Sequence, residues 1–274
     1  MVGMNKIFKR LAALFCLLFA FGAKADEVCV YMINVGKGDA ILVLAEGRTY
    51  LIDSGKASAE DSVKAALKRF NITRLNGVFV THTDKDHSGG LKWLAKSDIE
   101  IDAWYAPAFY APLKKDHPAV SAAAKRKELV SWLRAGDCVD DMFYVLAPLV
   151  KDEENEDNNS LVLMFKTQYG SMLFAGDIES EAEERLAESG ADIKCDVLKV
   201  PKHGDGDSCG EALVKLTSPK YALISTDPYE KPGTPDPEVI DRLTENGAEV
   251  FRTDFSTDGI LVTFSENGIS CEYD

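Results

Sequence analysis

Residues 81–90 read Thr81-His82-Thr83-Asp84-Lys85-Asp86-His87-Ser88-Gly89-Gly90. Just before them, Gly77 to Val80 is a short apolar run that reads as a strand. Just after them, Leu91 to Ala95 begins a helix. A strand that runs into a polar turn and then a helix is where α/β folds place their chemistry. Two imidazoles and two carboxylates within six residues form a dense set of metal-ligand donors. An extended turn can aim alternate side chains to one side. His82 and Asp84 could then share one ion while Asp86 and His87 turn toward a second. A solvated polar loop with a helix N-cap would use the same residue types. A buried strand end, however, rarely carries such a group with nothing to satisfy it. The chain has only four histidines. The other two are His117, which reads as a surface residue before Pro118, and His203.

Working outward, Val28 to Val35 reads as a strand, followed by the turn Gly36-Lys37-Gly38-Asp39. Ala40 to Ala45 and Arg48 to Ile52 read as a hairpin around Glu46-Gly47. Ala59 to Phe70 has helical apolar spacing. Residues 97–120 read as irregular, and Trp104, Tyr105, Phe109 and Tyr110 there form either a base-stacking surface or a loop packed by its own side chains. Ser121 to Arg134, closed by Gly136, reads as one helix, and Met142 to Ala147 as a strand. The acidic run Asp152 to Asp157 reads as a solvated loop that would repel a long polyanion if it borders a cleft. Leu161 to Phe165 and Ser171 to Ala175 form a second strand pair ending at Gly176-Asp177, before an acidic helix from Ile178 to Ser189. Val197 to Val200, Tyr221 to Ser225 and Ala248 to Arg252 read as strands, with a helix over Pro237 to Asn246. Two antiparallel strands, Ile260 to Phe264 and Ile269 to Tyr273, close the chain. Strand pairs followed by strand–helix units, twice over, predict two sheets with helices outside, a layered α/β sandwich.

The N-terminus reads as a separate unit. Met1 to Arg10 is basic, Leu11 to Ala23 is apolar, and Ala23-Lys24-Ala25 offers small residues at the two positions a signal peptidase reads. Thirteen apolar residues are too few to span a bilayer, which needs about 20. Residues 1–25 are therefore expected to be a secretory signal cleaved after Ala25, leaving 26–274 as one domain, secreted or periplasmic and not held at the membrane. Removing those residues and their four cations takes the net charge from −14 to −18. An acidic surface argues against a protein that grips nucleic acid through a broad basic face. It leaves open an enzyme whose positive charge is bound metal. Five cysteines would remain, an odd number. Cys29 and Cys271, in the first and last predicted strands, could bridge the chain ends, whereas Cys138 and Cys195 read as small buried hydrophobes.

His82-x-Asp84-x-Asp86-His87 resembles the metal-binding motif of the metallo-β-lactamase superfamily, in the variant with Asp in place of the second His. That variant is typical of the hydrolase domain of ComEC-type competence proteins and its free-standing relatives. Asn34-Val35-Gly36-Lys37-Gly38-Asp39-Ala40 is similar to the opening "DVGQGDA" of that subfamily, and Leu51-Ile52-Asp53-Ser54-Gly55 to its next strand end. Asn158-Asn159-Ser160-Leu161-Val162-Leu163 resembles "NxxSLVL", Leu173-Phe174-Ala175-Gly176-Asp177 resembles "LLTGD", and Leu198 to Gly204 resembles "LKVPHHG". The resemblance implies a four-layer αββα sandwich and two divalent ions, zinc or manganese. His82 and Asp84 would bind one ion, Asp86, His87 and His203 the other, and Asp177 would bridge them. Two ions about 3.5–4 Å apart hold a hydroxide and neutralise charge on the attacked and leaving oxygens. Asp53 and Asp39 are candidates to accept from the imidazoles' second ring nitrogens, although turn residues beside glycine would look the same.

This chain also departs from the pattern. Lys202 stands where the family has the first His of "HHG", Asp205 where a Ser follows its Gly, and Thr234 where many relatives carry a His before a Pro. No third His is found for the first ion, and Asn159 occupies that neighbourhood. That ion is expected to bind weakly, and its oxygen-rich ligands favour manganese or magnesium over zinc. Lys202, with Asp86 as the second catalytic candidate, could steady a phosphate oxygen as a point charge. The resemblance implies an exported metal-dependent hydrolase with a metal-bound hydroxide, acting as a phosphodiesterase or nuclease on DNA or another phosphodiester, with no protein partner implied. The same centre could instead hydrolyse a small ester, lactone, thioester or lactam. A metal-binding protein without turnover is the non-enzymatic alternative.

Overall fold

Val28–Ile33 is buried along its whole length, as expected of a strand covered on both faces. The computed structural model describes residues 27–113 and 117–274. The expected leader 1–25 and its cleavage point after Ala25 lie outside the described residues. An eight-stranded sheet runs, edge to edge, through Gly268–Tyr273, Gly259–Ser265, Val28–Ile33, Ile41–Ala45, Arg48–Ile52, Gly77–Phe79, Trp104–Pro107 and Val130–Leu133. A seven-stranded sheet runs through Glu249–Arg252, Tyr221–Ile224, Val197–Lys199, Gly170–Phe174, Val162–Thr167, Phe143–Ala147 and Cys138–Val139.

Alternation along the strands makes the layers. Val28, Val30 and Met32 meet Leu163, Phe165 and Phe174 of the other sheet in a central core. Tyr31, Ile33 and Leu42 point the other way, against Val63 and Leu67 of the helix Glu60–Arg69 and Ala122 of the helix Pro118–Lys125. Val162, Met164 and Leu198 pack outward against the helices Ser180–Glu188, Glu211–Thr217 and Pro237–Glu245. The result is the four-layer αββα sandwich. Among the described residues, no helix is long and apolar enough to cross a membrane.

Several expectations need correction. Ser121 to Arg134 is not one helix. The helix Pro118–Lys125 ends before Lys127, whose φ of 61° leaves the helical region. Val130–Leu133 then lies parallel beside Trp104–Pro107, where its β-branched and aromatic residues suit a pleated surface. Residues 97–120 are not irregular throughout, since they contain the strands Glu100–Ile101 and Trp104–Pro107. Of the two readings of the aromatic cluster, internal packing holds for Trp104, which is fully buried, and for Tyr105, which stacks on Phe79 at 4.7 Å. His117 is buried, and its Nδ1 accepts from the Ala119 N–H at 3.2 Å to cap the helix. The five described cysteines are free. Cys29 lies opposite Thr263, and Cys271 lies opposite Val262 on the far side of that strand. Two strand spacings, about 10 Å, exceed what a disulfide can span. Cys195 is buried, but Cys138 is exposed.

One buried carboxyl ties two outer helices together. Glu183 accepts from the N–H groups of Cys209 and Gly210, just before the helix Glu211–Thr217. Burial pushes its pKa up from 4.5 to about 7, against the opposing pull of those N–H groups and of Arg242. The folded protein therefore holds this proton more tightly than the unfolded chain. The stability it contributes is complete below about pH 4.5 and is lost as pH rises to about 7. Glu183→Gln should flatten the decline of Tm across that window, as read by thermal melts at fixed metal concentration. Parallel curves for the two proteins would remove the assignment.

Candidate metal centre

Parallel pairing sets the site. Arg48–Ile52 runs parallel to Gly77–Phe79 in one sheet, and Gly170–Phe174, Val197–Lys199 and Tyr221–Ile224 run parallel in the other. Their carboxyl ends deliver Asp53, the Thr81–His87 turn, Asp177, His203 and Ser225 to one rim. The Thr81 carbonyl accepts from the Leu161 N–H at 3.0 Å, which joins the two sheets there. Close backbone approach is built in. At Gly38 (φ 136°) a Cβ would fall 2.3 Å from the Asp86 carbonyl oxygen, and at Gly176 (φ 58°) it would fall 2.8 Å from Ser160 Cβ.

Side chains remote in the chain converge at this rim. His87 Nε2 lies 3.3 Å from His203 Nε2 and 3.3 Å from Asp177 Oδ1. His203 Nε2 lies 3.1 Å from Asp177 Oδ2 and 3.7 Å from Asp86 Oδ2. The His82 and His87 ring centroids are 4.2 Å apart. His82, His87 and Asp177 bring one ligand atom each within 4.8 Å of one another, as do Asp86, His87 and His203. His82, Asp84 and Asp157 do the same. Asp177 thus stands between the two halves of the turn. Asp84 is exposed.

The hydrogen bonds fix which ring nitrogens are free. Asp53 accepts from the Thr81 N–H at 2.8 Å, the Thr81 hydroxyl at 2.6 Å and His87 Nδ1 at 2.8 Å. Thr81 has given its hydroxyl proton to Asp53, so it can only accept from His82 Nδ1, 3.0 Å away. Ser225 likewise donates its hydroxyl to Asp39. Its hydroxyl and carbonyl oxygens, each 2.9 Å from His203 Nδ1, are then acceptors. All three histidines therefore donate through Nδ1 and turn Nε2 to the rim, the orientation a metal ligand needs. His82 Nε2 and Asp177 Oδ1 are buried with no hydrogen-bond partner. Such atoms are costly without a ligand, so the donor set fits a pair of divalent ions.

The charges agree. Burial opposes ionisation of Asp177, but His203, His87 and Lys199 hold its pKa well below the usual carboxylate range. Burial would lower the pKa of His87, yet the Asp177 and Asp53 carboxylates raise it well above the ordinary value. Positive charge is favoured at this point. Part of it is supplied by Lys199, which is fully buried. Its Nζ lies 2.6 Å from Asp39 Oδ2 and 3.6 Å from Asp177 Oδ1, and it donates to the Gly176 carbonyl at 3.2 Å.

Residues 33–227 match the family model of the metallo-beta-lactamase superfamily. The chain belongs to that superfamily. ComE operon protein 3 of Bacillus subtilis is 30% identical over 260 residues, covering 87% of this chain and 33% of its own length. Competence protein ComA of Neisseria gonorrhoeae is 28% identical, over 84% of this chain and 32% of its own. The chain therefore spans about a third of the curated relatives it matches. The metallo-beta-lactamase fold protein YhfI of Bacillus subtilis superposes with a TM-score of 0.52 over 87% of this chain and 99% of its own, at 13% identity.

Within that superfamily frame, three residues escaped the sequence reading. Lys199 was signalled by a charge inside the apolar run Val197 to Val200. Asp157 was hidden in an acidic run that reads as solvent-facing. Ser225 carried no signal beyond its place at a strand end. Lys202 is placed near the rim, but its ammonium is enclosed by Glu179, by Asp157 at 3.2 Å and by Asp207 at 3.4 Å. Thr234 supplies no ligand. It is buried, and its carbonyl accepts from the Thr226 hydroxyl.

Proposed function

We propose that the chain is an exported phosphodiester hydrolase working with two divalent ions, zinc or manganese. The observation that carries this reading is the convergence of three imidazoles, each anchored through Nδ1 and turned with Nε2 to the rim, on the Asp177 and Asp86 carboxylates. When bound, such an ion pair makes water acidic near neutral pH and neutralises charge on the attacked and leaving oxygens. Asp86, which accepts from Lys37 Nζ, faces His203 and orients the attacking water. Asp53, Thr81, Asp39 and Ser225 hold the imidazoles in the ligating orientation. Export rests on the leader-like residues 1–25, and the phosphodiester class rests on the likeness to competence proteins.

One observation favours small substrates over long polymers. Four of the lysines around the rim are already paired: Lys37 with Asp86, Lys56 with Glu230, Lys202 with Glu179 and Lys231 with Asp205. Affinity for long nucleic acid comes largely from cations free to neutralise phosphates. Purified protein with added Mn²⁺ or Zn²⁺ should hydrolyse bis(p-nitrophenyl) phosphate and short single strands faster than long duplex DNA, and His87→Ala should abolish this. Turnover of carboxyl esters or lactones with no phosphodiester cleavage would move the assignment to the small-ester class. Stoichiometric metal with no turnover on either panel would leave a binding protein.

A further inference from the structure

We propose that Asp157 completes the ligand set of the ion held by His82 and Asp84, and that Lys202 is the residue that positions it. This rests on the two-ion reading above. The residue expected in that neighbourhood, Asn159, is already spent. Its Oδ1 accepts from the Asp152 N–H, and its Nδ2 donates to the carbonyls of Asp152 and Asn155. Asn158 is spent too, donating to Asp152 Oδ2 at 3.0 Å and accepting from the Glu179 N–H at 2.9 Å. Both asparagines are buried, and they fold the acidic loop back onto the rim.

That fold presents Asp157, the first residue of the turn Asp157–Asn159, to the site. Its Oδ1 lies 3.8 Å from His82 Nε2. His82 is 0% exposed, and this nitrogen has no partner. The other carboxylate oxygen, Oδ2, faces Lys202 Nζ at 3.2 Å. One carboxylate thus has one oxygen toward the imidazole and one toward a cation that also holds Glu179 and Asp207. Lys202 and His203 both adopt left-handed backbone, with φ of 44° and 58°. Through that curl, consecutive residues serve different halves of the centre, with Lys202 at Asp157 and His203 at Asp86. One imidazole with two carboxylates, beside Asp177, is an oxygen-rich set that suits Mn²⁺ better than Zn²⁺.

Manganese titration by calorimetry, with electron paramagnetic resonance of the loaded protein, tests this. Wild type should take up two Mn²⁺ per chain with a spin-coupled spectrum. Asp157→Asn should take up one, with the six-line signal of an isolated ion, and Asp157→His should restore the second. Lys202→Met should keep both ions but bind the weaker one about 10–100-fold less tightly, the usual effect of losing a residue that orients a ligand. Two ions at wild-type affinity in both Asp157→Asn and Lys202→Met would overturn the assignment alone, provided wild type binds two and hydrolyses the phosphodiester. A wild-type chain that binds no ion would overturn the two-ion reading, and this assignment with it.

Discussion

Asp177→Ala should lower the proposed phosphodiester hydrolysis by about 10³-fold, equivalent to about 4 kcal/mol of transition-state stabilisation, while the fold survives. The side chain follows the left-handed Gly176 at the end of Gly170–Phe174 and lies within 3.3 Å of both His87 and His203. It is 4% exposed and ionised. It shares one donor group with His82 and meets His203 as well, a part in both halves of the centre, so truncation should cost metal as well as rate. Elemental analysis of the desalted variant should find fewer ions than in wild type, with an unchanged circular dichroism spectrum. The strand itself is secured by apolar contacts of Leu173 and Phe174 that the substitution leaves alone. Full activity with unchanged metal content would remove Asp177 from the bridging position.

Lys199→Met should destabilise the metal-free protein by about 3–5 kcal/mol, the usual consequence of leaving a buried charge without its partner. Methionine fills similar volume, so the loss is electrostatic. Asp39 keeps its place opposite Ser225, but both Asp39 and Asp177 lose the ammonium between them. For a chain of this size that corresponds to a fall in Tm of about 10 °C. Added divalent metal should recover part of it, because a bound ion replaces the missing positive charge and stabilises the native state by mass action. Thermal melts with chelator and with saturating Mn²⁺ check both halves. An unchanged Tm in chelator would show that the carboxylates do not depend on this lysine.

The centre was legible wherever donors are adjacent in the chain. The turn from His82 to His87 declares itself because no ordinary loop concentrates imidazole and carboxylate so tightly. Asp177 and His203 were legible only by resemblance, since each is a single polar residue after an apolar strand. Lys199 could have been found from burial alone, as a cation in a strand closed on both faces needs anions beside it. Asp157 could not. Its selection from a run of acidic residues depends on how Asn158 and Asn159 fold the loop, a matter of side-chain hydrogen bonds rather than pattern. The same limit explains Ser121 to Arg134. Trp132 and Leu133 sit at spacings that continue a helix, and only the pairing with Trp104–Pro107 makes them a strand.

The most direct test of the central claim is anomalous diffraction from crystals of the protein soaked in Mn²⁺ or Zn²⁺. Two peaks are expected, one against His82, Asp84 and Asp157 and one against Asp86, His87 and His203, with the Asp177 carboxylate between them. Peaks elsewhere on the surface, with none at this rim after soaking at saturating metal, would contradict it.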